Sequence, residues 1–88
     1  PTSPPAGAAR ARAGTTTVYA SWNGATQVVS WTVLAGPSAG RLTVVARAAK
    51  SGFETAIRLP RSYQSFEVEA LNAKHQVIGA SAPFGSQR

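Results

Sequence analysis

The chain has no cysteine, no methionine and no aspartate among its 88 residues. Without cysteine, no disulfide can reinforce a small fold, no thiolate can ligate a metal, and no redox compartment can be read from the sequence. Without aspartate, the acids are three glutamates, Glu54, Glu67 and Glu69, set against nine lysines and arginines for a net charge of +6. Histidine occurs once, at position 75. No apolar run approaches the roughly 18 residues a membrane helix needs, no signal-peptide pattern opens the chain, and no segment carries a helical period.

These shortages narrow the chemistry. A Ser-His-acid triad needs a carboxylate to orient the histidine, and His75 has no aspartate and no second histidine to work with. One histidine without cysteine or aspartate is a poor donor set for a zinc site of three or four ligands, so no metal and no cofactor is expected. The run Gly36-Pro37-Ser38-Ala39-Gly40 lacks the lysine and the following helix of a phosphate-binding loop. Glu67 and Glu69 lie two apart on one expected strand, roughly 6–7 Å between Cα atoms, which overlaps the carboxylate spacing of inverting glycosidases. Such pairs flank a cleft from separate elements, whereas these two would share one solvent face. No catalytic residue is assigned, and the chain is expected not to be an enzyme.

What is present is alternation. Val18 to Leu34 reads VYASWNGATQVVSWTVL, two runs of β-branched and aromatic residues around Asn23-Gly24. Val18, Ala20 and Trp22 share one face of the first run, with Tyr19 and Ser21 on the other. In the second run Val29, Trp31 and Val33 share a face. Period two belongs to strands with one side buried, which makes both tryptophans core candidates and leaves Tyr19 as an outward aromatic. Further strands are expected at Arg41–Ala48, with Leu42, Val44 and Ala46 inward, and at Phe53–Leu59, with Phe53, Thr55, Ile57 and Leu59 inward. Two more follow at Ser65–Leu71, with Phe66, Val68 and Ala70 inward, and at Gln76–Ser81. Pro60 closes the fourth run because it cannot donate to a ladder. Asn72 to His75 forms a tight connection, with His75 exposed.

Several short strands at this spacing predict an all-β sandwich over residues 15–82. Residues 1–14, with three prolines and two glycines, predict a linker or a frayed first strand, and 83–88 an unpatterned tail. The opening Pro1-Thr2-Ser3-Pro4-Pro5 reads as a processed or excised end of something longer. A chain of this size buries only about 60% of its unfolded surface, so modest stability is expected. Its basic residues are scattered through the sequence with no run that marks a nucleic-acid patch.

Two resemblances rest on specific residues. The order Val18-x-Ala20-x-Trp22, Trp31-x-Val33, Leu59-Pro60 and Phe66-x-Val68-x-Ala70-x-Asn72 resembles the fibronectin type III framework, an immunoglobulin-like β-sandwich, over roughly residues 16 to 82. That resemblance implies that the Asn23–Thr26 loop crosses between sheets, although Asn-Gly is locally the strongest hairpin signal. Tyr63 stands out of phase with Phe66 for the framework's corner tyrosine, and a bulge near Gln64-Ser65 would restore the register. The string Trp22-Asn23-Gly24-Ala25-Thr26, Val28-x-x-Trp31-x-Val33-Leu34-Ala35-Gly36, Ser51-Gly52-Phe53-Glu54-Thr55 and Ala70-Leu71 is similar to the C-terminal part of secreted arylsulfotransferase-like proteins of actinomycetes and fungi. In that family the chemistry belongs to a β-propeller. The resemblance therefore implies an extracellular accessory domain beside a catalytic neighbour, with no transferable catalytic residue. The alternative is an autonomous module for polysaccharide or a polyanion, using the basic surface and Tyr19, with no membrane and no specific nucleic acid as partner.

Overall fold

The computed structural model describes residues 1–87. Among them eight strands and no helix form: β1 (Ala6–Arg12), β2 (Thr15–Ser21), β3 (Ser30–Gly36), β4 (Thr43–Ala49), β5 (Glu54–Leu59), β6 (Ser65–Leu71), β7 (Val77–Ala80) and β8 (Ser86–Gln87). They pair into two four-stranded sheets, ordered β5-β2-β1-β8 and β4-β3-β6-β7. All pairs are antiparallel except β1 with β8. The inner faces meet in one core, with Ala9, Val18, Ala20, Ile57 and Leu59 from the first sheet against Trp31, Val33, Ala35, Phe66, Val68 and Ala70 from the second. The protein is an all-β sandwich.

Alternation predicts β2, β5 and β6 because each has one buried side. In β2 the buried set is Thr16, Val18 and Ala20, in β5 Thr55, Ile57 and Leu59, and in β6 Phe66, Val68 and Ala70. Three hydroxyl side chains that enter the interior find partners, as burial demands. Thr16 Oγ1 donates to the Arg61 carbonyl at 2.8 Å, Thr55 Oγ1 accepts from Ser51 N–H at 3.0 Å, and Ser81 Oγ accepts from Val68 N–H at 3.0 Å. The crossing at Asn23–Thr26 is also present, since it joins β2 of one sheet to β3 of the other.

Five expectations are corrected. Of the two readings of residues 1–14, linker or frayed first strand, 6–12 are no linker but a first strand, and not a frayed one: β1 pairs with β2 along all seven residues, from Ala6 opposite Ser21 to Arg12 opposite Thr15, and Ala9 is buried. The β1–β2 turn has φ of 52° at Ala13 and 81° at Gly14, so both central residues have the positive φ of a type I′ hairpin. The tail is likewise structured. Phe84 exchanges two backbone hydrogen bonds with Phe66, and Ser86–Gln87 run parallel to Ala9–Arg10; Arg88 lies outside the described residues.

The third correction concerns phase. Val28 rather than Val29 turns inward, Val29 being half exposed, and Phe53 stands before β5 with 69% of its surface exposed. Fourth, β4 carries a bulge: Val33 lies opposite Ala46 but Leu34 opposite Val44, so Val45 is the extra residue and packs on the core while Val44 faces out. An extra residue reverses the sides that alternation would assign. Fifth, Trp22 stands one residue past β2, half-buried at the edge of the core, and the fully enclosed tryptophan is Trp31. Tyr63 packs edge-on against Phe66, with ring centroids 6.0 Å apart.

Two expected outcomes follow from this packing. Deleting Pro1 to Ala11 removes the strand that lies between β2 and β8, so cooperative thermal unfolding should disappear. A transition within a few degrees of the parent would mean that β1 contributes no packing. Trp31 is 2% exposed, and its Nε1 has no hydrogen-bond partner among the described residues. Trp31→Ala should cost about 3–5 kcal/mol in urea melts. Trp31→Phe should cost under about 2 kcal/mol, because it also removes a donor whose unsatisfied burial costs about 1–3 kcal/mol. Equal losses in the two variants would show that the indole nitrogen is bonded after all.

Candidate anion-binding face

The outer face of the first sheet follows directly from the register. With Ala9, Val18 and Ile57 inward, the outward set is Ala8, Arg10 and Arg12 on β1, Thr15, Thr17 and Tyr19 on β2, and Ala56 and Arg58 on β5. Arg10 pairs with Thr17 and Thr17 with Arg58, so one row across three strands reads Arg–Thr–Arg. The neighbouring row reads Ala8–Tyr19–Ala56, and Arg12 lies opposite Thr15 at the hairpin end. Strand geometry sets the Cα atoms of Arg10 and Arg12 about 7 Å apart, and those of Arg10 and Arg58 about 10 Å apart.

A groove of about 380 Å³ opens among these residues, lined by Arg10, Arg12, Arg58, Thr15, Thr17 and Tyr19 together with Ala11. Tyr19 is half-buried and stands between two one-carbon side chains, so its ring is not walled in along its row. No carboxylate belongs to this lining. Among the described residues Glu54 is the one acid on the same face, four residues along β5 from Arg58, about 13 Å away in strand rise. The other two acids, Glu67 and Glu69, lie on the outer face of the second sheet, where Glu69 shares a row with Thr32 and Arg47. Among the described residues, the sandwich therefore presents three guanidinium groups around a groove lined by no carboxylate, on one broad side. Guanidinium offers paired donors matched to carboxylate, sulfate or phosphate, and a tyrosine ring beside it supplies a flat apolar platform.

The other residues singled out from the sequence fall elsewhere. His75 is exposed in the β6–β7 turn with φ of 61°, and its N–H donates to the Asn72 carbonyl. Asn72 organises that turn, since its Oδ1 accepts from the backbone N–H of Lys74 and Gln76. Glu67 and Glu69 are half-exposed on their flat sheet, on the opposite side of the molecule from the groove. Trp22 lies at the sandwich edge and Trp31 inside, so neither belongs to this face. Among the described residues no three of His, Cys or Glu converge as a metal site would require. The residues that sequence reasoning passed over are Arg10, Arg12 and Arg58. The spacing of Arg10 and Arg12, two apart and hence on one side of a strand, was the available signal. The small residues around them make 1–14 read as a linker or a frayed first strand, which hides that signal.

The chain finds no match among protein-family models, curated proteins or solved structures.

His75 holds a left-handed conformation that costs most L-residues about 1–2 kcal/mol, while glycine adopts it freely at some cost in unfolded-chain entropy. His75→Gly should therefore raise the urea midpoint slightly, by up to about 1 kcal/mol of stability. A clear loss of stability would reveal a contact of the imidazole that its exposure argues against.

Proposed function

We propose that the chain is a non-catalytic β-sandwich module that binds an anionic polysaccharide through the outer face of its first sheet. The convergence of Arg10, Arg12 and Arg58 on one groove beside Tyr19 is the observation that carries this reading. The arginines would pair with sulfate or carboxylate groups of the polymer, Thr15 and Thr17 would hydrogen-bond its hydroxyls, and Tyr19 would stack on a sugar ring. An open groove on a flat sheet suits a chain ligand, whose successive charges can meet successive arginines.

A fibronectin type III-like sandwich is the finer fold reading. Strand order supports it: β1, β2 and β5 share one sheet, while β3, β6 and β7 share the other. The fourth strand, β4, pairs with β3 rather than joining β5, which departs from the constant-type immunoglobulin arrangement. The similarity to the C-terminal part of secreted arylsulfotransferase-like proteins supplies a setting for such a module. There it would act outside the cell as an accessory domain, packing against or spacing a catalytic neighbour while holding polymer near it.

Heparin affinity chromatography tests the reading. At about 0.15 M salt the screening length is about 8 Å, which weakens diffuse attraction more than close pairing. The domain should be retained there, and the double variant Arg10→Ser/Arg58→Ser should bind at least tenfold more weakly, a loss of about 1.4 kcal/mol. The matched control Arg41→Ser/Lys74→Ser removes the same charge from loops and should elute like the parent. Equal shifts for the two double variants would reduce the interaction to net charge and defeat the proposal.

A further inference from the structure

A second site lies at the sandwich edge and owes nothing to the basic face. One residue beyond β2, Trp22 leaves the sheet and its benzo ring lies over Gly79 of β7, so close that a Cβ there would stand 2.5 Å from Cη2. Its indole N–H points outward and donates to the backbone carbonyl of Ser3 at 2.6 Å. Pro1 and Trp22 line the same cleft of about 250 Å³, together with Ala25, Thr26, Gln27 and Ile78. The segment held there, Pro1-Thr2-Ser3-Pro4-Pro5, belongs to no strand.

This arrangement has a recognisable physical logic. Proline-rich segments lack internal hydrogen bonds and leave their carbonyls free, and proline costs little entropy when it is ordered. Aromatic-lined grooves hold such segments by packing their rings against proline and donating to those carbonyls. Trp22 offers an apolar ring and a single outward donor; Pro1 lines the cleft beside it, and Ser3, in a segment that goes on to Pro4 and Pro5, supplies the carbonyl. We propose that the Trp22 cleft is a binding site for a proline-rich segment, occupied in cis by Pro1–Ser3. Covalent attachment gives the cis segment an effective concentration in the millimolar range, so an external segment of the same chemistry binds only when the cis one is absent.

The test uses ¹⁵N-labelled protein and the capped peptide acetyl-Pro-Thr-Ser-Pro-Pro-amide. The chain has two indole N–H resonances, and that of enclosed Trp31 serves as an internal reference. Deleting Pro1 to Ser3 should move the Trp22 indole resonance and leave that of Trp31 in place. Adding peptide to the truncated protein should return the Trp22 resonance toward its original position along a saturable curve, complete by about 10 mM. The same peptide should leave the full chain unchanged, and a peptide with all three prolines replaced by alanine should not restore the resonance.

An unmoved Trp22 resonance on truncation, no saturable response, or equal response to the alanine peptide would each overturn the proposal. Should truncation disturb the fold, Trp22→Phe in the full chain keeps the ring but removes the donor. It should release Thr2 and Ser3, read as sharp, narrowly dispersed amide signals. Unchanged amide signals in that variant would likewise overturn it.

Discussion

The stacked pair Phe66–Phe84 is the contact on which the rest of the sandwich depends. Phe66 is fully buried near the start of β6, an inner strand of the second sheet, and the ring of Phe84 lies nearly parallel to it at 5.8 Å. Their backbones exchange two hydrogen bonds, at 2.8 and 2.9 Å, so the chain after β7 is fixed in position as well as in packing. From Phe84 the chain passes across the open side of the sandwich to the other sheet, where Ser86–Gln87 pair with β1. The last residues thus tie the two sheets together, and they do so at the strand that carries Arg10 and Arg12. In a domain with little core to spare, such a closure matters more than its length suggests.

Charge is segregated by the same alternation that builds the core. Outward positions of β1 and β5 hold Arg10, Arg12 and Arg58 where outward positions of β6 hold Glu67 and Glu69, the latter in one row with Arg47, so the excess cationic charge is concentrated on the first sheet's side. Sheets pack about 10 Å apart, and across that thickness of low-polarity interior the two sets do not neutralise one another through direct contact. The consequence is a basic side that keeps its attraction for anions, with Glu54 at its far end marking where that attraction fades.

The sandwich and strands β2, β5 and β6 were legible in the sequence because each of these strands alternates its inward residues with outward ones of another kind. Strand β1 read only as a linker or a frayed first strand, and the reason is physical. Its inward positions are Gly7, Ala9 and Ala11, which carry too little side chain to register as an apolar face, and alanine and glycine disfavour strands by intrinsic propensity. Its hairpin turn is Ala13-Gly14, without the Asn or Asp that normally marks positive φ, whereas the conspicuous Asn23-Gly24 serves a crossing between sheets. At Gly7 the lack of a side chain is required by what lies above it. A side chain at Gly7 would collide with the ring of Phe84, a partner 77 residues away in sequence that no local pattern reveals. The candidate face was hidden for the same reason, since two of its three arginines stand on β1.

Gly7 and Gly79 show a common device. Each lies in an edge region of its sheet, each leaves a gap the size of a side chain, and each is covered by an aromatic ring from elsewhere: Phe84 over Gly7, Trp22 over Gly79. In both cases the ring also fastens a terminal segment, Phe84 by being part of one and Trp22 by donating to the carbonyl of Ser3. A glycine in a strand weakens it through lost packing and greater unfolded-state entropy, unless another group occupies the vacated space. Here both spaces are occupied, and the groups that occupy them hold the two ends of the chain against the sandwich. What reads in sequence as two proline- and glycine-rich flanks is therefore joined to the fold by two aromatic rings, each seated on a glycine.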